Sequence, residues 1–134
     1  MSSLYLLDTN ILIATLKGRG KIRRRLESEQ LGAIRLSAIV LGELEFGAEK
    51  SAYGERNRAR LAALAQRLPL VGIDYNTTGH YGKIRALLER QGTPIGANDT
   101  WIAAQALAID ATLVTDNERE FVRVPGLSLE NWLR

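Results

Sequence analysis

Short apolar runs, each ending in a polar cluster and each followed by a helical pattern, recur along this chain and leave few folds open to it. Leu4–Leu7 stops at Asp8-Thr9-Asn10. Ile34–Ser37, Pro69–Ile73 and Thr112–Thr115 repeat the design, and Leu127–Leu129 adds a short edge strand after the Pro125-Gly126 turn. Such brief runs fit strands buried on both faces. Between them, helical spacing predicts helices over Asn10–Leu16, Lys21–Gln30, Ile39–Lys50, Asn57–Leu68, Thr77–Gln91 and Asp99–Ile109. Strands alternating with helices predict an α/β fold, a parallel sheet of four to five short strands covered on both faces. A length of 134 residues with 46% hydrophobic and 25% charged side chains suits a single domain over 1–134 with one core.

In such a sheet, right-handed crossovers return each helix antiparallel to its strand, so strand C-termini and helix N-termini share one edge. Open α/β sheets place their ligands there. Four acids fall at that edge: Asp8 after the first strand, Glu43 early in the helix after the second, Asp99 opening the apolar helix, and Asp116 after the fourth strand. Asp8 or Asp99 alone could be a helix cap or a first-turn acid, and Asp116 a turn residue. The spacing favours more than capping. Asp99 shares its helical stripe with Ile102, Ala103 and Ala106, and Glu43 shares one with Phe46 and Gly47, so both acids are expected to face inward. Carboxylates crowded together raise one another's pKa and call for a counter-charge, and Mg²⁺ or Mn²⁺ is the hard cation that oxygen ligands suit.

Other chemistries are poorly supplied. The chain has no cysteine, which removes disulfide scaffolds, zinc ribbons and thiol nucleophiles and fits a reducing, cytoplasmic compartment. Its one histidine, His80, lies far in sequence from the acids and is read as a surface or packing residue. The apolar opening is broken by Asp8-Thr9-Asn10 and lacks a basic flank, so neither a signal peptide nor a membrane span is expected. Thr9 and Ser37 are read as hydrogen-bonding supports, Arg85 as a salt-bridge partner, Trp101 as a core residue and Trp132 as tail packing. The Leu61–Leu68 stripe suits either core or a dimer contact.

At these acids the chain resembles the PIN-domain ribonucleases, and among them the VapC-type toxins of toxin–antitoxin pairs. Leu7-Asp8-Thr9-Asn10 is similar to the family's first motif, and Ser37 followed by Glu43-Leu44-Glu45-Phe46-Gly47 to its second. Pro94-Ile95-Gly96-Ala97-Asn98-Asp99 with Ile102-Ala103-Ala104 resembles the third, and Thr115-Asp116-Asn117-Glu118-Arg119-Glu120-Phe121 the closing one. The resemblance implies a PIN-like α/β/α sandwich and a Mg²⁺- or Mn²⁺-dependent endoribonuclease. It also implies a homodimer, and a cognate antitoxin that inserts a basic or bulky segment into the active site within a larger heteromeric assembly. Carried over by position, Asp8, Glu43 and Asp99 form an acidic triad, with Asp8 and Asp99 the direct metal ligands. The family's fourth acid falls at Asn117, which could hold water or a phosphate but brings no charge; its neighbour Asp116 is the alternative.

The net charge of +3 is unevenly placed. Lys17, Arg19, Lys21, Arg23, Arg24 and Arg25 put six cations into nine residues, leaving twelve basic against fifteen acidic side chains elsewhere. A solvated helix surface is one reading; a patch that guides RNA phosphates toward Asp8 is favoured. Two rivals to the nuclease are a metal-dependent phosphatase and a non-catalytic RNA-binding or regulatory module. A haloacid-type phosphatase wants a second Asp two residues after the first, where this chain has Asn10. A binding module has no need of inward-facing acids.

Overall fold

The computed structural model describes residues 3–134. Five strands, β1 (Leu4–Leu7), β2 (Ile34–Ser37), β3 (Leu70–Val71), β4 (Ala111–Val114) and β5 (Leu129–Glu130), form one parallel sheet in the order β3-β2-β1-β4-β5. The helices are α1 (Thr9–Leu16), α2 (Gly20–Ser28), α3 (Ala38–Lys50), α4 (Gly54–Ala65), α5 (Tyr75–Arg90), α6 (Ala97–Ala108) and the short α7 (Glu118–Phe121). A 3₁₀ turn over Leu31–Ala33 leads into β2. The sheet is flanked by these helices, as the alternation of patterns predicts.

The chain's central strand explains the order. β1 pairs with β2 on one side and β4 on the other, with Leu7 opposite both Leu36 and Val114. Leu6, Leu7, Ile34, Leu36, Leu113 and Val114 are sealed from solvent, so an apolar run without alternation is what the middle of this sheet requires. From β1 the chain moves outward through β2 to β3, then crosses to β4 and β5 on the opposite side. The order therefore reverses between β1 and β4, and a crevice opens beyond their C-terminal ends. The Asp8 amide extends the ladder by one bond, donating to the Val114 carbonyl at 2.9 Å, and so brings Asp8 level with Thr115.

The flanking helices fill the core unequally. α6 is the most buried, with Ile102, Ala103, Ala104 and Ala106 all at 0% exposure. On α3 the inward stripe is Val40, Leu44 and Ala48. Phe46, expected to point inward with Glu43, is instead 64% exposed with the Lys50 ammonium over its ring. The stripe through Val40, Leu44 and Ala48 sets the core direction, and Phe46, two residues from both Leu44 and Ala48, falls on the opposite side. Helix α4 starts three residues earlier than its apolar pattern suggests. Gly54 permits this, because a Cβ there would lie 2.5 Å from the Ala48 carbonyl oxygen. Leu61 and Leu68 join the core while Leu64 and Ala65 pack against it, so this stripe is core. Trp132 is buried too, 5.2 Å from the Tyr5 ring and capped by the Arg25 guanidinium at 4.8 Å. Trp101 is only half-buried and stacks on Tyr81 at 3.8 Å.

Ile102 lies three residues after Asp99 and has no exposure at all. Ile102→Ala is expected to lower unfolding free energy by about 2–5 kcal/mol in a denaturant titration, through lost burial and an unfilled cavity.

Candidate active site

The crevice at the β1–β4 divergence is an open depression of about 360 Å³ lined by Asp8, Thr9, Asn10, Glu43, Asp99, Asp116 and Asn117. Four different parts of the chain supply them. Asp8 ends β1 and caps α1, accepting from its neighbour's amide, Thr9 N, at 2.8 Å. Its other oxygen accepts from the buried Thr115 hydroxyl at 2.7 Å. With 6% exposure and both oxygens held, this carboxylate has one orientation. The capping role and a site role therefore coexist in one side chain.

Glu43 stands in the second turn of α3 and is gripped from two sides. The Thr9 hydroxyl donates to Oε2 at 2.5 Å, and the Asn98 amide donates to Oε1 at 3.0 Å. Ser37 is remote from the depression. It is fully buried at the end of β2 and accepts from the Ile39 and Val40 amides to start α3, so it supports Glu43 through the helix. Asp116 is exposed at the lip, where Asn10 donates to it at 3.0 Å. Asn117 bridges: its backbone amide donates to Thr115 Oγ1 at 2.9 Å and its side chain to Glu120 Oε2 at 2.8 Å.

Asp99 is half-buried in the first turn of α6, and its carboxyl is pushed up to about 7. Burial is the main cause. The protonated form also donates to Glu120, and the charges of Asp8, Glu120 and Glu43 act in the same direction. Asp8 is raised as well, chiefly by burial, against the opposing hydrogen bonds from Thr115 and Thr9. Glu120 is thus a fifth acid at the site. It was readable only as the last acidic position of the closing motif, because a four-residue helix gives no periodic signal. Asn98 was likewise present in the third motif, without a sign that its amide faces Glu43.

The donor set suits a hard cation: oxygens only, in a pocket where burial and repulsion disfavour uncompensated charge. Among the described residues no three Asp, Glu or His side chains are drawn in to the spacing of a closed metal shell. A Mg²⁺-type site needs fewer, since one or two carboxylates with water and substrate phosphate complete it.

A family model for the PIN domain matches residues 5–127. Ribonuclease VapC2 of Rickettsia felis is 41% identical over 96% of this chain and 98% of its own length. The tRNA(fMet)-specific endonuclease VapC of Shigella flexneri is 42% identical over 96% and 97%. Among solved structures, VapBC from Salmonella typhimurium bound to DNA superposes with a TM-score of 0.91 at 40% identity, covering 97% of this chain and 98% of that one. VapBC2 from Rickettsia felis, bound to a promoter DNA fragment, gives 0.89 at 41% over 96% and 98%. A toxin–antitoxin complex from Klebsiella pneumoniae gives 0.69 at 26% over 96% and 97%. The chain belongs to the PIN domain family, and within it to the VapC type.

The raised Asp99 carboxyl has a consequence for stability. Unfolded, it titrates near 3.8; folded, near 7, so between these values the folded chain holds the extra proton. Its stabilising effect is complete below the lower value and disappears as pH rises through the upper one. Without divalent metal the melting temperature is expected to fall from about pH 5 to about pH 8. Asp99→Asn should flatten that slope, and Mn²⁺ should raise the wild-type midpoint at the higher pH.

Proposed function

We propose that this chain is a toxin endoribonuclease that hydrolyses RNA phosphodiester bonds with Mg²⁺ or Mn²⁺ at the acidic depression. The observation that carries this reading is the convergence of Asp8, Glu43 and Asp99 in one open, solvent-reachable crevice. Relatives named as ribonucleases and an endonuclease at about 40% identity over nearly the whole chain support it. Asp8 and Asp99 are the direct holders of the cation. Asp8 is aimed from behind by Thr9 and Thr115, the arrangement that tunes metal-ligating carboxylates. When bound, a divalent cation neutralises charge on the scissile phosphate and acidifies water.

Glu43, fixed by Thr9 and Asn98, orients the attacking water and accepts its proton. Asp116 is the second acceptor at the lip, held by Asn10. Glu120 accepts the proton that the neutral Asp99 carboxyl donates, and a cation held by Asp99 would displace that proton. Asn117 ties Glu120 to the Thr115–Asp8 pair, so the fourth acidic function is divided between Asp116 and Glu120. The lone His80 lies outside the depression, which argues for direct hydrolysis with 5′-phosphate products.

Two surface features bear on partners. Lys17, Arg19, Lys21, Arg23 and Arg24 are exposed, and among the described residues none of them forms a salt bridge. These five form the RNA-guiding patch. Arg25 leaves it, being paired with Glu29 and Glu130 and stacked on Trp132. A trough also opens from the depression between α1, α3 and α4, sharing Thr9 and Glu43 with it, with Ile13, Leu16 and Leu44 along it and Lys17 and Arg60 among its lining. This trough suits a cognate antitoxin segment with an apolar face, whose end would reach the acids. The similar solved structures of VapBC support such a heteromeric assembly, and this chain is proposed to enter it as a homodimer. No helix among the described residues is long and apolar enough to cross a membrane, and the reading places the chain in the cytoplasm, where its RNA substrate is.

Asp8→Asn and Asp99→Asn should each reduce Mn²⁺-dependent RNA cleavage by about a thousandfold while circular dichroism stays native, because several kcal/mol of transition-state stabilisation is lost. EDTA should do the same to the wild type. Wild-type rates in both variants would end the nuclease proposal.

Arg23→Ala with Arg24→Ala should weaken RNA binding and reduce the slope of log affinity against log salt by about 1.4, two phosphate contacts on a single strand. An unchanged slope would remove the guiding role from this helix.

A further inference from the structure

Helix α6 carries one long polar side chain within its apolar face. Gln105, between Ala104 and Ala106, is 0% exposed. Its Oε1 accepts from Ser37 Oγ at 2.6 Å, and its Nε2 donates to the Val71 and Gly72 carbonyls at 3.0 and 3.1 Å. An apolar residue of similar size would fill the same volume without needing three partners, since burying an amide is unfavourable unless each polar atom is matched. What distinguishes glutamine here is therefore where those bonds lead.

They lead to the elements that carry the acids. Ser37 ends β2 and starts α3. Its hydroxyl oxygen already accepts two amides of that helix, and its proton goes to Gln105. Val71 ends β3, which is only two residues long, and the Gln105 amide stands in for the strand neighbour that its final carbonyls lack. Glu43 lies six residues beyond Ser37 along α3, and Asp99 six before Gln105 along α6. At a rise of 1.5 Å per residue, each acid stands about 9 Å along its helix from the same buried hydrogen bond. At the far end the Asn98 amide spans to Glu43. The two helices are thus linked at the buried end by Ser37–Gln105 and at the open end by Asn98–Glu43.

Building on the nuclease reading above, we infer that Gln105 is a positioning residue: its buried amide locks α6 to the start of α3 and thereby sets the separation of Asp99 from Glu43, acting on turnover without touching RNA. Reacting centres are sensitive to such settings, and a displacement of about 1 Å lowers rates by about a hundredfold.

The test measures wild type, Gln105→Leu and Gln105→Glu side by side with RNA and Mn²⁺, at a temperature where circular dichroism shows each variant folded. Leucine fills the space but leaves the Ser37 proton and two carbonyls unmatched. Its kcat is expected to fall on the order of tenfold to a hundredfold, with KM within about twofold of wild type. In Gln105→Glu the neutral acid can accept from Ser37 and donate to one carbonyl, whereas the ionised form is repelled by both carbonyls. Its rate relative to wild type should therefore climb as pH falls from about 8 to about 6, a recovery that altered packing alone would not produce. A folded Gln105→Leu with wild-type kcat, or with its loss confined to KM, overturns the inference. So does the absence of pH-dependent recovery in Gln105→Glu, which decides the matter if the leucine variant does not fold. A wild type without metal-dependent cleavage overturns the nuclease reading instead, and with it this inference.

Discussion

Crowding of carboxylates at the divergence of β1 and β4 is the constraint to which the rest of the molecule answers. Asp8, Glu43, Asp99, Asp116 and Glu120 all contribute charge there, and burial raises the Asp99 carboxyl to about 7. Like charges held this close disfavour the folded chain unless protons or a cation offset them. The scaffold therefore has to supply rigidity. It does so with central strands sealed from solvent, a buried stretch of α6 over Ile102–Ala106, and donors such as Thr115, Thr9 and Asn98 holding the carboxylates. The hydrogen bonds orient the acids; the core supplies the free energy that holds them against repulsion.

The basic segment completes this division of charge. In the proposed function an acidic crevice would repel RNA as readily as it attracts a cation, so phosphates would have to be gathered elsewhere. Helix α2 follows α1 directly, and α1 is eight residues long, about 12 Å. Lys17, just past the end of α1, lines the same trough as Thr9 and Glu43. Arg25 shows that the segment is not uniform. Its guanidinium secures Trp132 and Glu130, tying the end of the chain to β1 and α2 rather than facing a partner.

Much of this was readable from residue order, for identifiable reasons. Unalternated apolar runs such as Leu4–Leu7 have little alternative to a buried parallel strand, and their sequence boundaries match the structure within a residue or two. The inward aim of Asp99 followed from Ile102, Ala103 and Ala106 on its stripe. The same argument failed for Phe46, because a bulky aromatic beside an acid says nothing about which face the helix buries. Glu120 and Asn98 escaped because their roles arise from pairing across long sequence separations. Gln105 escaped for the opposite reason: in a helix this apolar, a single amide looks like an interruption until its partners in β2 and β3 are known.

Anomalous diffraction from crystals grown with Mn²⁺ tests the central claim most directly, that Asp8 and Asp99 hold a divalent cation at the crevice. A manganese peak within about 2.5 Å of carboxylate oxygens of both residues, lost in Asp99→Asn, is the predicted result. RNA cleavage by the same protein with no manganese at Asp8 and Asp99, or with the ion bound elsewhere, would contradict it.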